Sequence, residues 1–214
     1  MHMQTYRATL LSPLTYRTRP DSGAGGASVT GRFLGDLALD YAIEHVMTGG
    51  DHLWDGRTKT KPDYKNDISK FNWRCTVGVP TRAVSMLPIE YQATSFMSEG
   101  YVNMRAWKQT GSSSMKNWMQ RQSVAPFNDF MFLAISKAEK LPEKFTVRMG
   151  NGRETLVSLV SIGVPELVTV NAFTISALLD RNVPKGQSVQ MENSKYILIH
   201  GVTPEKAVEA LGWP

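Results

Sequence analysis

The chain has 214 residues, 42% hydrophobic and 20% charged, which suits one ordinary globular domain with a real core and excludes wholesale disorder. One cysteine, Cys75, rules out an internal disulfide. The four histidines, His2, His45, His52 and His200, form no metal-binding spacing, so neither a structural metal nor a cofactor is expected. The formal charge of +5 suggests an anionic partner.

In chain order, QTYRATLLS alternates polar and apolar residues around Tyr6, Ala8 and Leu10, which predicts a half-buried strand. A Gly-, Ser- and Pro-rich loop follows and ends at Thr30. Phe33, Leu34, Leu37, Ala38, Tyr41, Ala42 and Val46 then recur at helical spacing, with Thr30 expected as N-cap and Gly49-Gly50 as the stop. Residues 51–70 are polar and punctuated by Gly and Pro, and read as a long loop. WRCTVGVPTRAVSMLPIEYQATSF holds short strand pieces broken by Pro80 and Pro88. DFMFLAISK and FTVRMGNGRETLVSLVSIG give strands, the latter with a turn at Gly150-Asn151-Gly152. TVNAFTISALLD fits a strand or a buried helix, KYILIHGV a final strand, and TPEKAVEALGW a helix capped by Thr203 with Pro204 at its first position. The order predicts a single α+β domain, a ferredoxin-like sandwich over residues 1–214 with a long insertion. No apolar run approaches the ~18 residues of a spanning helix, and MHMQTYRATLL lacks signal-peptide order, so a cytoplasmic protein is expected.

Three places invite a chemical reading. DSGAGGAS resembles a phosphate loop only superficially: no GKS or GKT follows and GxGxxG is incomplete, which favours a connecting loop. Before it, Arg17 and Arg19 stand two apart and share a face if extended, either as ligand contacts or as plain surface arginines. The basic charge concentrates in 98–128. From Gly100 to Asn128 there are four cations, Arg105, Lys108, Lys116 and Arg121, and no carboxylate, interleaved with Tyr101, Trp107 and Trp118. Cations neutralise phosphates and aromatic faces stack on unpaired bases, so such a segment has both parts of single-strand recognition. The other reading makes Trp107 and Trp118 packing anchors with a basic rim. The segment is too polar for a core and has no sustained period, which predicts an arm ordered by RNA and a neighbouring subunit. Arg148 and Arg153 flank the glycine turn, where backbone can approach a phosphate, or form a plain hairpin. Catalytic constellations are absent. His45 and His200 have no identifiable partner, and Ser112, Ser113 and Ser114 lie in a Gly-Ser tract without a nucleophile motif, so no enzyme activity is expected.

The order of YRATLLSPLTYRTR, TGRFLGDLALDYAI and LPEKFTVRMGNGRETLVSLVSIG resembles the Cas-five family of CRISPR effector complexes, most closely its type I-D branch, Csc-one. The family's Leu-Gly-Lys is here Met149, Gly150 and Asn151, so its lysine is missing. The resemblance implies a ferredoxin-like fold of the RAMP type with an inserted arm or thumb, here residues 98–128. It also implies a subunit that grips the five-prime handle of the crRNA, caps the Cas-seven backbone and abuts the large subunit that helps read the protospacer-adjacent motif on target DNA. Arg17, Arg19, Tyr101, Arg105, Trp107, Lys108, Lys116, Trp118, Arg121, Arg148 and Arg153 are the candidate RNA-binding residues. Some members cleave precursor RNA. The alternative is therefore a metal-independent endoribonuclease of the same fold with His45 or His200 as base.

Overall fold

A computed structural model describes residues 1–16, 28–49, 63–95, 116–137, 139–150 and 154–213. The strands are β1 (His2–Leu10), β2 (Ser28–Val29), β3 (Trp73–Cys75), β4 (Val79–Pro80), β5 (Glu90–Ser95), β6 (Lys116–Gln122), β7 (Asp129–Ser136), β8 (Lys144–Met149), β9 (Thr155–Ile162), β10 (Val168–Asn171), β11 (Ser188–Asn193) and β12 (Tyr196–Val202). The helices are α1 (Asp36–Thr48), α2 (Tyr64–Lys70) and α3 (Pro204–Leu211), with a π-helical turn at Thr174–Leu178. The architecture is mixed α and β, and its sheets are antiparallel except where β2 joins β6.

The N-terminal alternation does form the predicted strand, and β1 becomes the middle of the main sheet, ordered β3-β7-β1-β9-β8. Tyr6, Ala8 and Leu10 point to one face and are fully buried against Phe130, Phe132, Val157 and Leu159 of the neighbouring strands and Leu39 and Ile43 of α1. The larger aliphatic and phenylalanine side chains among these each contribute about 1.5–3 kcal/mol by leaving water. The sheet curls around α1, so that both edge strands, β3 and β8, approach the helix. The stop at Gly49 is as expected, in the left-handed conformation at φ 74°. The start is not: α1 begins at Asp36 behind Gly35, and the Thr30 hydroxyl instead accepts from the Tyr16 N–H at 3.3 Å. Val46 and Ala38, read as core, lie on the exposed side.

Burial on α1 includes a row of acids. Asp36, Asp40 and Glu44, spaced by one helical turn, are each at most 1% exposed. Asp40 accepts from the Cys75 N–H at 2.7 Å and Glu44 from the Asn72 N–H at 3.3 Å, so the helix satisfies the free edge of β3 with carboxylates. Asp36 accepts from Thr174 Oγ1 at 2.5 Å and Asn171 Nδ2 at 3.2 Å. Burial pushes the carboxyls of Asp36 and Asp40 above the usual range, for Asp40 with a further push from Asp36.

β3 and β4 both pair with β7, but out of step: Cys75 faces Ala134 whereas Val79 faces Met131. The extra residue falls at 76–78, where the chain bulges away and serves other partners. The Val77 N–H donates to Thr169 O of β10 at 2.9 Å, and Gly78 and Leu34 exchange two backbone bonds of 2.8 Å. Pro80 therefore does not break the strand piece; it lies in β4 on the sheet's edge, where its missing N–H costs nothing.

The second sheet, β10-β12-β11, and α3 pack on the other face of β7, burying Leu133 and Ile135 against Val170, Ile199, Val202 and Ala207. Here Arg74 is buried. Its Nη1 donates to Leu211 O at 2.6 Å and Gly212 O at 2.7 Å, and its guanidinium lies 4.5 Å from the Trp213 ring centroid. Burial pulls its pKa down to about 10, opposed by Asp40 and reinforced by Arg181. TVNAFTISALLD resolves into both alternatives, β10 and then the π-helical turn. Helix α3 starts after Thr203 with Pro204 first, as expected. Within the polar stretch 51–70, read as a loop, residues 64–70 instead form α2, capped where the Asn66 N–H donates to Asp63 Oδ1 at 3.5 Å. The stretch 51–62 lies outside the described residues.

Candidate nucleic-acid interface

Strands β5 and β6 form an antiparallel hairpin in a small separate sheet, joined by β2 running parallel to β6. Its base is fixed to the main domain. After β6 the chain re-enters the core at Val124, which is fully buried and bridges both Leu14 and Met86. The Leu14 and Val124 backbones exchange bonds of 3.0 and 2.9 Å, and Leu87 N–H donates to Ser123 O at 2.9 Å. Asn128 closes the clamp: its Nδ2 donates to Ser85 O and Ala125 O at 3.0 and 2.8 Å, while Ser85 N–H donates to its Oδ1 at 2.9 Å.

Thr15 is the hub of this region. Its hydroxyl meets that of Ser123 at 2.6 Å, next to the end of β6. Its carbonyl lies so close to Gly150 that a Cβ there would sit 3.0 Å away, and equally close to Thr155 Oγ1. Gly150 has φ 80°, so both the space and the conformation require glycine. The Thr155 hydroxyl in turn donates to Pro13 O at 2.7 Å, and Leu156 N–H to Ser12 Oγ at 2.9 Å. The described residues next to three predicted basic segments, the one opening with Arg17, the one ending with Arg121 and the turn with Arg153, thus converge on one spot.

Of the candidates themselves, Arg17, Arg19, Tyr101, Arg105, Trp107, Lys108 and Arg153 lie outside the described residues. Lys116, Trp118 and Arg121 belong to β6, in register with Ser95, Ala93 and Glu90 of β5. Arg148 is exposed in the middle of β8, opposite Leu156. His200 Nδ1 is 3.0 Å from Thr169 Oγ1 and its Nε2 3.3 Å from Gln190 Oε1, a hydrogen-bonded strand histidine as expected. His45 is half-buried in the last turn of α1, and its buried Nδ1 has no hydrogen-bond partner. Among the described residues no cluster of His, Cys, Asp or Glu could hold a metal ion, and no helix is long and apolar enough to cross a membrane. An open cleft of about 600 Å³ beside α3 has mixed charge, and its Arg181 is engaged in capping, donating to Glu209 O and Ala210 O at 3.1 and 3.3 Å.

A family model described as type I-D CRISPR-associated protein Cas5/Csc1 matches residues 1–201. The chain belongs to this family. No curated protein matches it. Membership of the Cas5/Csc1 family implies a subunit of a CRISPR Cascade complex that binds crRNA. Two exposed cations in the strands of the main sheet escaped the sequence reading, Arg7 of β1 and Lys144 of β8. The signal was there: in an alternating strand, the polar positions opposite Tyr6, Ala8 and Val147 define a second face.

Proposed function

We propose that this protein is a non-catalytic RNA-binding subunit of a type I-D Cascade complex, which grips the five-prime handle of the crRNA with residues around the convergence at Thr15. It caps the Cas-seven backbone and supports target DNA and protospacer-adjacent-motif recognition with the large subunit. The observation that carries this reading is the meeting at one hub of described residues that border three sequence-distant basic segments, held by the Thr15–Ser123 hydroxyl contact of 2.6 Å and the close approach of Gly150. Cations carried by such segments would hold the handle by its phosphates.

The domain is a ferredoxin-like RAMP fold with an inserted arm at 98–128. In support, β1, α1, β3, β7 and β9 follow the chain order of a split βαβ motif, and the sheet order β3-β7-β1-β9 is that motif's, first strand between third and fourth. The β5–β6 hairpin lies between the motif's second and third strands, where an insertion leaves the core order intact. The non-catalytic reading is supported by His200, whose two ring nitrogens both have partners.

Purification of the tagged protein with its bound RNA, followed by sequencing, tests the reading. RNAs sharing one repeat-derived five-prime end are expected. Affinity for that RNA should fall about 50-fold between ~50 and ~200 mM salt if about four phosphates are neutralised. Protein that carries no such RNA sinks the proposal. Discrete cleavage of repeat RNA, abolished in His200→Ala, would replace it with the nuclease alternative.

A further inference from the structure

The main sheet has one face packed on α1, and the second sheet and α3 cover only part of the other. Over the remainder, strand alternation and register set out a regular surface. Arg7 of β1 stands across Val160 of β9 from Lys144 of β8. In the next row, Thr9 stands across Ser158 from Thr146. One step further, Arg148 stands opposite Leu156. Arg7, Lys144, Thr146 and Arg148 are exposed, and Thr9 and Ser158 half-buried. Two cationic rows thus flank a row of hydroxyls.

Arg7 and Lys144 are two strands apart, about 10 Å, and Lys144 and Arg148 four residues apart along β8, about 13 Å. Among the described residues, none of the three cationic side chains makes a hydrogen bond or ion pair. The strands supply one carboxylate to this area, Asp129, and it is engaged: Thr9 Oγ1 donates to it at 2.6 Å and Arg82 Nη2 lies 3.8 Å away. Glu154 lies just before the start of β9. No strand residue on this face is aromatic, so it offers no ring for a base to stack on.

We propose that this uncovered part of the sheet is a second RNA contact that carries the sugar-phosphate backbone of a single strand, read by charge and hydroxyl groups and blind to base identity. Cations and hydroxyls are the groups that hold phosphate and sugar, and bases would turn away from a surface without rings. The inference rests on the RNA-binding reading above and adds to it a surface outside the hub and the hairpin. Arg148 belongs to this surface, with Arg7 and Lys144 as its new partners.

The test uses the full-length protein with labelled oligouridylate and oligoadenylate of equal length, titrated over a salt series. In Arg7→Gln/Lys144→Gln/Arg148→Gln, the slope of log affinity against log salt should become shallower by about 2, some 0.7 for each phosphate released, and equally for both RNAs. Lys144→Gln and Arg148→Gln singly, each expected to remove about 0.7, carry the test if the triple variant melts early. An unchanged slope, with wild type still binding RNA, overturns this surface and leaves the proposed function standing; so does a loss confined to one of the two RNAs. Unchanged RNA binding with lost assembly into the larger complex assigns the face to a protein partner and also overturns it. A wild type without salt-dependent RNA affinity overturns both proposals.

Discussion

Replacing Arg74 with methionine keeps the volume of the buried stem and removes the guanidinium that latches the chain's C-terminal end. In the native protein that group supplies two short charge-assisted bonds, 2.6 Å to Leu211 O and 2.7 Å to Gly212 O, and a ring contact at 4.5 Å with Trp213. Bonds of this kind are worth about 1.5–3 kcal/mol each and the ring contact about 0.5–2 kcal/mol. Part of this is returned, because methionine avoids the cost of burying a cation. The opposing term is kept by the carbonyls left unpaired and by Asp40, which loses a nearby positive charge. The net loss should be about 3–4 kcal/mol, which for a domain of this size lowers Tm by about 10 °C. Thermal unfolding by circular dichroism reads the loss, and the difference in tryptophan emission between this variant and its Trp213→Phe counterpart, needed because the chain has five tryptophans, reads the latch itself, shifting to the red as the ring meets water. Arg74→Lys keeps charge without the two-pronged geometry and should fall between. A Tm within about 3 °C of wild type in Arg74→Met would refute the reasoning, since it would mean that the carbonyls find water or other partners at no cost.

Asp40→Asn keeps an acceptor for the Cys75 N–H while removing a charge whose nearest titratable neighbours are Asp36, Cys75 and Arg74. The folded-state carboxyl is raised, so its favourable contribution is complete below the unfolded pKa of about 3.9 and is lost as pH rises through the folded value. Urea midpoints should therefore favour the Asn variant more at about pH 8 than at about pH 5, and the opposite trend would show that Arg74 outweighs burial. Gly150→Ala forces a Cβ into the left-handed region at φ 80° and to 3.0 Å from Thr15 O; it should cost about 1–2 kcal/mol in chemical denaturation, and a neutral result would mean that the turn relaxes freely. Asn128→Ala removes the partners of the Ser85 N–H and the Ala125 carbonyl, whereas Ser85 O keeps the Ala125 N–H, and should cost about 1–2 kcal/mol, while proteolysis should cut the β5–β6 hairpin sooner than in wild type; equal cutting rates would argue against a clamp at its base.

Where one periodicity dominated, the chain was legible. β1, β9 and α3 are visible in the sequence because each puts apolar side chains on one face at a constant interval, and β7 because its apolar run fills both faces. α1 was legible as a helix but not in its orientation. Nothing in the sequence marks Asp36, Asp40 and Glu44 as buried; Asp40 and Glu44 serve the free edge of β3 and Asp36 serves Asn171 and Thr174, partners that only the tertiary structure reveals. α2 escaped because YKNDISK has a single strongly apolar residue, Ile68, and its start depends on the Asp63 cap. β11 was not seen because Ser188, Val189, Gln190 and Met191 are all exposed, so neither face carries a burial signal. At the candidate site, composition identified the basic segments, but the convergence of their described flanks at Thr15 depends on contacts between residues more than a hundred positions apart. Arg7 and Lys144 were passed over because alternation was read for the core alone, although the same period fixes what the outer face displays.

The clamp at Ser85, Val124 and Asn128 also bears on how this chain can vary. A hairpin whose two ends are fastened at its root is energetically insulated from the core, so chain joining Ser95 to Lys116 can lengthen or change composition at a cost of only about 0.6 kcal/mol per doubling of its length. The root then behaves as a socket and the hairpin as an interchangeable cassette. New binding preferences can be sampled there while the residues that fold the domain stay as they are.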